Sequence, residues 1–171
     1  GENVKFATGH FYSMTTHARG GAFLDPAARA VTVQPGVVLD QLNAYLRPHG
    51  LWYPVDVSTS AQATLGGMAG NNSCGSRSIA YGNMVHNVAA IEAVTVQGER
   101  WTFGPMNDPS GPSGYRELVH RLQMLYERER AEIEARFPKL LRKVAGYNLD
   151  HLGPPHANAA HLLVGSEGTL A

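Results

Sequence analysis

The period of the apolar positions changes several times along the chain, and each change marks an element. Ala22–Leu24 and Ala30–Gln34 are short runs of strand character, and Asp25-Pro26 opens a turn between them. Residues 21–36 (GAFLDPAARAVTVQPG) therefore read as a hairpin that Pro35-Gly36 ends. Val38, Leu39, Leu42 and Leu46 then recur at helical spacing until Pro48 and Gly50 stop them, which predicts a helix over 37–47. Asn87–Val96 is rich in apolar and β-branched residues, Gln97-Gly98-Glu99 is a turn, and Arg100–Phe103 is the return strand. The longest helix runs from Tyr115 to about Phe137. Leu118, Leu122, Leu125, Tyr126 and Ile133 lie along one side, and Glu117–Arg121, Arg130–Glu134 and Glu132–Arg136 are spaced for ion pairs on the exposed surface.

Between these patterned segments lie stretches without a period. Residues 54–82 (PVDVSTSAQATLGGMAGNNSCGSRSIAYG) are built from small and polar residues with no wide apolar face, so they read as a long functional loop. Residues 104–114 are a Pro/Gly/Ser loop, and Gly146-Tyr147-Asn148-Leu149 and Pro154-Pro155 sit in another. Residues 1–21 have no clear period and stay unassigned. At the other end, Leu162-Leu163-Val164 leads through a Gly-rich turn to Thr169-Leu170-Ala171, which has the look of a strand about to start. The expected class is α+β: a mostly antiparallel sheet from 22–34 and 88–103 carries helices 37–47 and 115–136 on its faces.

Composition narrows the function. At 171 residues the chain is long enough for one domain with a proper core. Fourteen Lys+Arg balance fourteen Asp+Glu, so the basic footprint of a nucleic-acid binder is absent. The single Cys leaves no disulfide framework within the chain and suits a reducing compartment. No apolar run approaches the roughly 20 residues of a membrane span, and no signal-peptide pattern opens the sequence. Charged residues are only 16%, and 19 glycines exceed the roughly 7% typical of proteins. Together these suggest backbone used as a binding surface.

Two segments carry candidate chemistry. Thr64 is a good helix N-cap, and the small residues that follow it to Gly75 would let a ligand approach the backbone. Free N–H groups at such a turn favour an anion, most often a phosphate, and Asn71 and Asn72 add amide donors and acceptors. The plainer reading is a flexible loop with a tight packing turn. The spacing matches neither G-x-G-x-x-G nor G-x-x-x-x-G-K-[ST]. Gly165-Ser166-Glu167-Gly168-Thr169 is the second candidate, either an ordinary turn or polar groups set at the edge of the core. Cys74 reads as a small buried thiol rather than a nucleophile. His151, His156 and His161 are evenly spaced, but Pro154-Pro155 prevents a helix between them, and they read as surface or loop histidines rather than metal ligands.

Residues 53–94, preceded by VTVQPGVVLDQLNAYLRPHGL and closed by LLVGSEGTLA, resemble the flavin-binding domain of the vanillyl-alcohol oxidase type flavoproteins. The nearest branch is the FAD-linked dehydrogenases of D-2-hydroxy acids, which includes D-lactate dehydrogenases, the glycolate oxidase FAD subunit and large fusions with an iron–sulfur module. The resemblance covers about Ala30 to Ala171. It implies non-covalent FAD, with Pro54, Ser58, Thr59 and Ser60 lining the flavin ring and the start of its phosphate chain. Gly66 and Gly67 would admit the pyrophosphate; Asn71, Asn72 and Gly75 would continue that wall. Tyr81 and Gly82 would close beside it, and Glu167 and Gly168 would approach from the other end of the domain.

Two features depart from the family pattern. Its first phosphate loop, of Arg-Gly-Gly-Gly-Thr-Ser type, is missing, since Arg19-Gly20-Gly21 runs into Ala22-Phe23. The substrate cap and any iron–sulfur module are also absent. The expectation is therefore a partial FAD-binding domain over 22–171. Its parent would transfer hydride from C2 of a 2-hydroxy acid to flavin and then pass electrons to an acceptor. The implied location is cytoplasmic, or peripheral at the inner membrane. No catalytic residue and no metal ligand is nominated within these residues. The alternatives are a same-fold oxidase or reductase of another alcohol, or a folded fragment that binds no flavin.

Overall fold

The structure, a computed structural model, describes residues 2–3, 5–10 and 22–170. Its strands are β1 (Glu2–Asn3), β2 (Lys5–His10), β3 (Ala22–Asp25), β4 (Ala30–Val33), β5 (Leu51–Trp52), β6 (Val88–Val94) and β7 (Arg100–Phe103). Its helices are α1 (Leu39–Leu46), α2 (Leu65–Gly70), α3 (Ser78–Tyr81), α4 (Met84–Asn87), α5 (Ser113–Arg136) and α6 (Ala160–Leu163). The fold is α+β, as expected.

Both hairpins are antiparallel and in the anticipated places. Ala22 faces Val33 and Asp25 faces Ala30; Ile91 faces Phe103 and Val94 faces Arg100. They are joined through β2, which runs parallel to β4 on one side and to β6 on the other, in a five-stranded order β3-β4-β2-β6-β7. The central strand thus comes from the segment that showed no sequence period. Parallel strands cannot be linked by a tight turn. The chain from β4 to β6 must therefore cross over β2, and residues 34–87, including the whole glycine tract, form that crossover.

Alternation in β4 buries Val31 and Val33 and exposes Thr32, while Leu39, Leu42 and Leu46 of α1 pack into the same core. On α5 the buried line is Tyr115, Val119, Leu122, Tyr126 and Ile133, with Leu118 and Leu125 half-buried beside it. The stripe is thus turned slightly from the one read in the sequence, because Tyr115 packs edge-on against Phe103 and its hydroxyl accepts the Gly104 N–H. The Arg130–Glu134 and Glu132–Arg136 pairs form on the exposed side. Residues 54–82 are more structured than a loop, since α2 and α3 lie within them. No helix among the described residues is long and apolar enough to cross a membrane.

Candidate functional site

The first half of the glycine tract is zipped onto the connection into α1. Leu39 N donates to Ala63 O (2.9 Å), Leu65 N to Val37 O (2.9 Å) and Gly66 N to Pro35 O (2.8 Å). Thr64 caps α2 as expected, its Oγ1 accepting the Gly67 N–H at 3.2 Å. The glycines here divide by what surrounds them. A Cβ on Gly66 would lie 2.5 Å from Pro35 Cβ, and one on Gly75 would lie 1.7 Å from the Asp56 carbonyl oxygen. These two are glycine because the protein's own backbone presses against them. Gly67 is exposed, and its Cβ would meet only Thr64 Oγ1, at 3.1 Å. Close approach by something outside the chain is open there.

The second half turns around Asp56. Its carboxylate accepts from Ser76 Oγ (2.6 Å) and from Arg77 N (2.9 Å). Burial opposes ionisation, but these hydrogen bonds and the Arg77 charge hold the Asp56 carboxyl below its ordinary value. The Arg77 guanidinium lies 4.9 Å over the Trp52 ring, and Tyr81 meets Trp52 edge-on at 5.1 Å. Gly82 has φ +78°, and its Cβ would fall 2.7 Å from the His86 ring, so glycine is required on both counts.

The segment Gly165–Thr169 docks on the end of α2, where Gly165 N donates to Ala69 O at 2.9 Å and Glu167 N to Gly70 O at 3.0 Å. The two candidate segments, far apart in sequence, form one surface. Ser58, Thr59, Gly67, Asn71, Tyr81, Glu167 and Gly168 are exposed, and Ser60 and Gly82 are half-buried. Pro54, Asn72 and Gly75 lie buried beneath. Asn72 is a brace: at φ +51° its Oδ1 accepts the Val85 N–H (3.0 Å) and its Nδ2 donates to the Lys143 carbonyl (3.3 Å). Arg19-Gly20-Gly21 lie outside the described residues.

Several participants escaped the sequence reading. Asn83 Nδ2 also donates to the Lys143 carbonyl (3.0 Å), and Asn148 Nδ2 holds the carbonyls of His161 and Val164 (3.2 and 2.7 Å). The Tyr147 hydroxyl meets Thr169 Oγ1 at 2.8 Å, and Arg142 donates to Cys74 Sγ at 3.0 Å. Their only local signal was the Gly-Tyr-Asn run at 146–148. His151 and His161 are half-buried rather than surface groups; the His151 ring meets those of His86 and His161 edge-on. His156 is exposed.

The family described as FAD binding domain matches residues 11–104. Among curated relatives, the D-2-hydroxyglutarate dehydrogenase of Pseudomonas putida is 37% identical over 150 residues, which is 83% of this chain and 15% of that protein. The enzyme of the same name from Haemophilus influenzae is 36% identical over 160 residues, 86% of this chain and 16% of that protein. A probable mitochondrial D-lactate dehydrogenase of Danio rerio is 34% identical over 140 residues, 82% of this chain and 20% of that protein. The chain therefore spans only about one sixth of the length of the first two. A family match over more than half of the chain, carried on a surface with an open helix-start glycine and a docked Gly-Ser-Glu-Gly turn, places this protein in the FAD-binding domain family.

Proposed function

We propose that this chain forms part of the FAD site of a dehydrogenase that oxidises a D-2-hydroxy acid. The observation that carries the reading is the docking of Gly165–Thr169 onto the C-terminal end of α2, whose first turn holds the open Gly67. Gly67 would admit the pyrophosphate, with Asn71 and the Ser58–Ser60 hydroxyls as polar partners. Tyr81 and Gly82 would border it, and Glu167 and Gly168 would approach from the opposite side. Gly66, Gly75, Pro54 and Asn72 would act from beneath by holding the shape. Bound there, flavin supplies the acceptor for hydride from C2 of the substrate, and the protein orients it.

The names of the relatives support a 2-hydroxy acid, and D-2-hydroxyglutarate joins D-lactate and glycolate as a candidate. Electrons would then pass to a quinone, a cytochrome or an iron–sulfur chain. In the full-length protein, dye reduction with a panel of D-2-hydroxy acids tests the reaction class. Turnover of a D-acid, lost together with bound flavin in Gly67→Val, is expected. Flavin retained unchanged in Gly67→Val would refute the placement.

A further inference from the structure

Residues 137–151 form a strap from the end of α5 that ties the two halves of the candidate surface together. Its Lys143 carbonyl is held by Asn72 and Asn83, its Arg142 by Cys74, and its Tyr147 reaches Thr169. A cavity of about 350 Å³ lies between the strap, α4 and α5, bounded on the apolar side by Tyr126, Ile133 and Phe137.

A cluster of imidazoles lies beside these contacts, linked to them through Asn83, which holds the Lys143 carbonyl with its side chain and bonds His86 with its backbone N–H. The His86 and His151 rings are 5.5 Å apart, and His161 meets His151 edge-on at 5.2 Å. From the strap, Lys143 faces them, paired with Asp150 and lying 4.8 Å over the Phe137 ring; Glu134 of α5 and Lys139 line the same cavity. His161 Nε2 lies 3.0 Å from the Val88 carbonyl. His86 has a further duty. Its Nδ1 accepts the Asn83 backbone N–H at 3.0 Å at the start of α4. That bond needs the Nδ1 lone pair, so the ring must be neutral with its proton on Nε2.

We propose that His86 and His151 form a pH-sensitive latch: neutral, they keep the strap closed over Asn72 and Asn83, and protonated, they release it from the glycine tract, while Gly165–Thr169 stays bonded to α2 through Ala69 and Gly70. A proton on His86 Nδ1 would set donor against donor at Asn83. It would also place positive charge beside Lys143 and His151, while Asp150, the nearest compensating carboxylate, is already engaged. His86 is exposed at the rim of this cavity, where partial desolvation, then Lys143, hold it below the ordinary histidine value against the pull of Asp150; burial does the same for half-buried His151, aided by His86 and Lys143. A group depressed in the closed state takes up protons on opening, so closure weakens as pH falls below about 6.5. The latch is a property of this chain whether or not flavin is its ligand.

Hydrogen–deuterium exchange of 138–151 between pH 8 and pH 5, corrected for intrinsic exchange, tests it. Opening that takes up one proton grows roughly tenfold per pH unit. The wild type should show that slope below about 6.5, and a His86→Gln/His151→Gln variant should not; Gln at 86 keeps an acceptor for the Asn83 N–H. Flat protection in the wild type, or an equal slope in the variant, overturns the latch. Should the variant not fold, the wild-type histidine resonances decide: midpoints for His86 and His151 below about 6.5 support it, and midpoints at or above that value overturn it.

Discussion

Gly66, Gly67 and Gly75 look alike in sequence and differ in what a methyl group would strike. At Gly66 and Gly75 it meets backbone or a fixed ring, and overpacking of that kind costs about 1–3 kcal/mol or more. At Gly67 it meets only a hydroxyl that can shift, and Ala in a helix is favoured over Gly by up to about 1 kcal/mol. Urea unfolding should therefore show Gly66→Ala and Gly75→Ala clearly destabilised and Gly67→Ala unchanged or better. Equal losses at all three would mean that Gly67 is a packing glycine as well. Asn72 gives a second test, because it braces rather than lines the surface. Asn72→Ala leaves the buried Val85 N–H without its acceptor and keeps a left-handed φ, a cost of about 2–4 kcal/mol. A stability loss below about 0.5 kcal/mol would contradict that role. The sequence showed that small residues cluster here. It could not show which of them are pressed by Pro35 or Asp56, since those neighbours are supplied by the crossover.

Elements whose cause is local were legible; those whose cause is a distant partner were not. The Thr64 cap could be read because cap, first turn and apolar residues are adjacent in sequence, and Thr64→Ala should cost α2 about 1 kcal/mol by urea unfolding. An unchanged unfolding midpoint would show that the Pro35–Asp40 zipper alone holds the turn. The hairpins were legible for the same reason, each being a run, a turn and a run. β2 was not, because a strand paired in parallel on both sides is identified by its neighbours β4 and β6 and by no turn of its own. The seating of Gly165–Thr169 on α2 lay equally beyond periodicity. Its physical cause is a pair of backbone bonds, to Ala69 and Gly70, from residues nearly a hundred positions away.

For the molecule as a whole, the question is how much of a flavin site these residues can make. Ala22 and Phe23 lie in β3 and pair with Val33 and Thr32. Their backbone belongs to a sheet ladder and does not form a phosphate loop. Hydrogen bonds to a charged group contribute roughly 1.5–3 kcal/mol each. A site short of two or three such bonds loses several powers of ten in affinity, at about 1.4 kcal/mol per tenfold. The chain spans about one sixth of the first two relatives, so the isoalloxazine ring would also be covered on fewer sides than in the full-length enzymes. Against this, the surface around Gly67 is pre-shaped: Pro35 and Asp56 hold it from beneath, and the strap binds its two halves. Residual binding should therefore be weak but specific. Titration of the 171-residue chain with FAD, followed by quenching of flavin fluorescence, should give a dissociation constant above about 1 μM, weakened further by Gly67→Val. Sub-micromolar binding would show that α2 and the docked turn suffice without the first loop, and binding indifferent to Gly67→Val would place the flavin elsewhere.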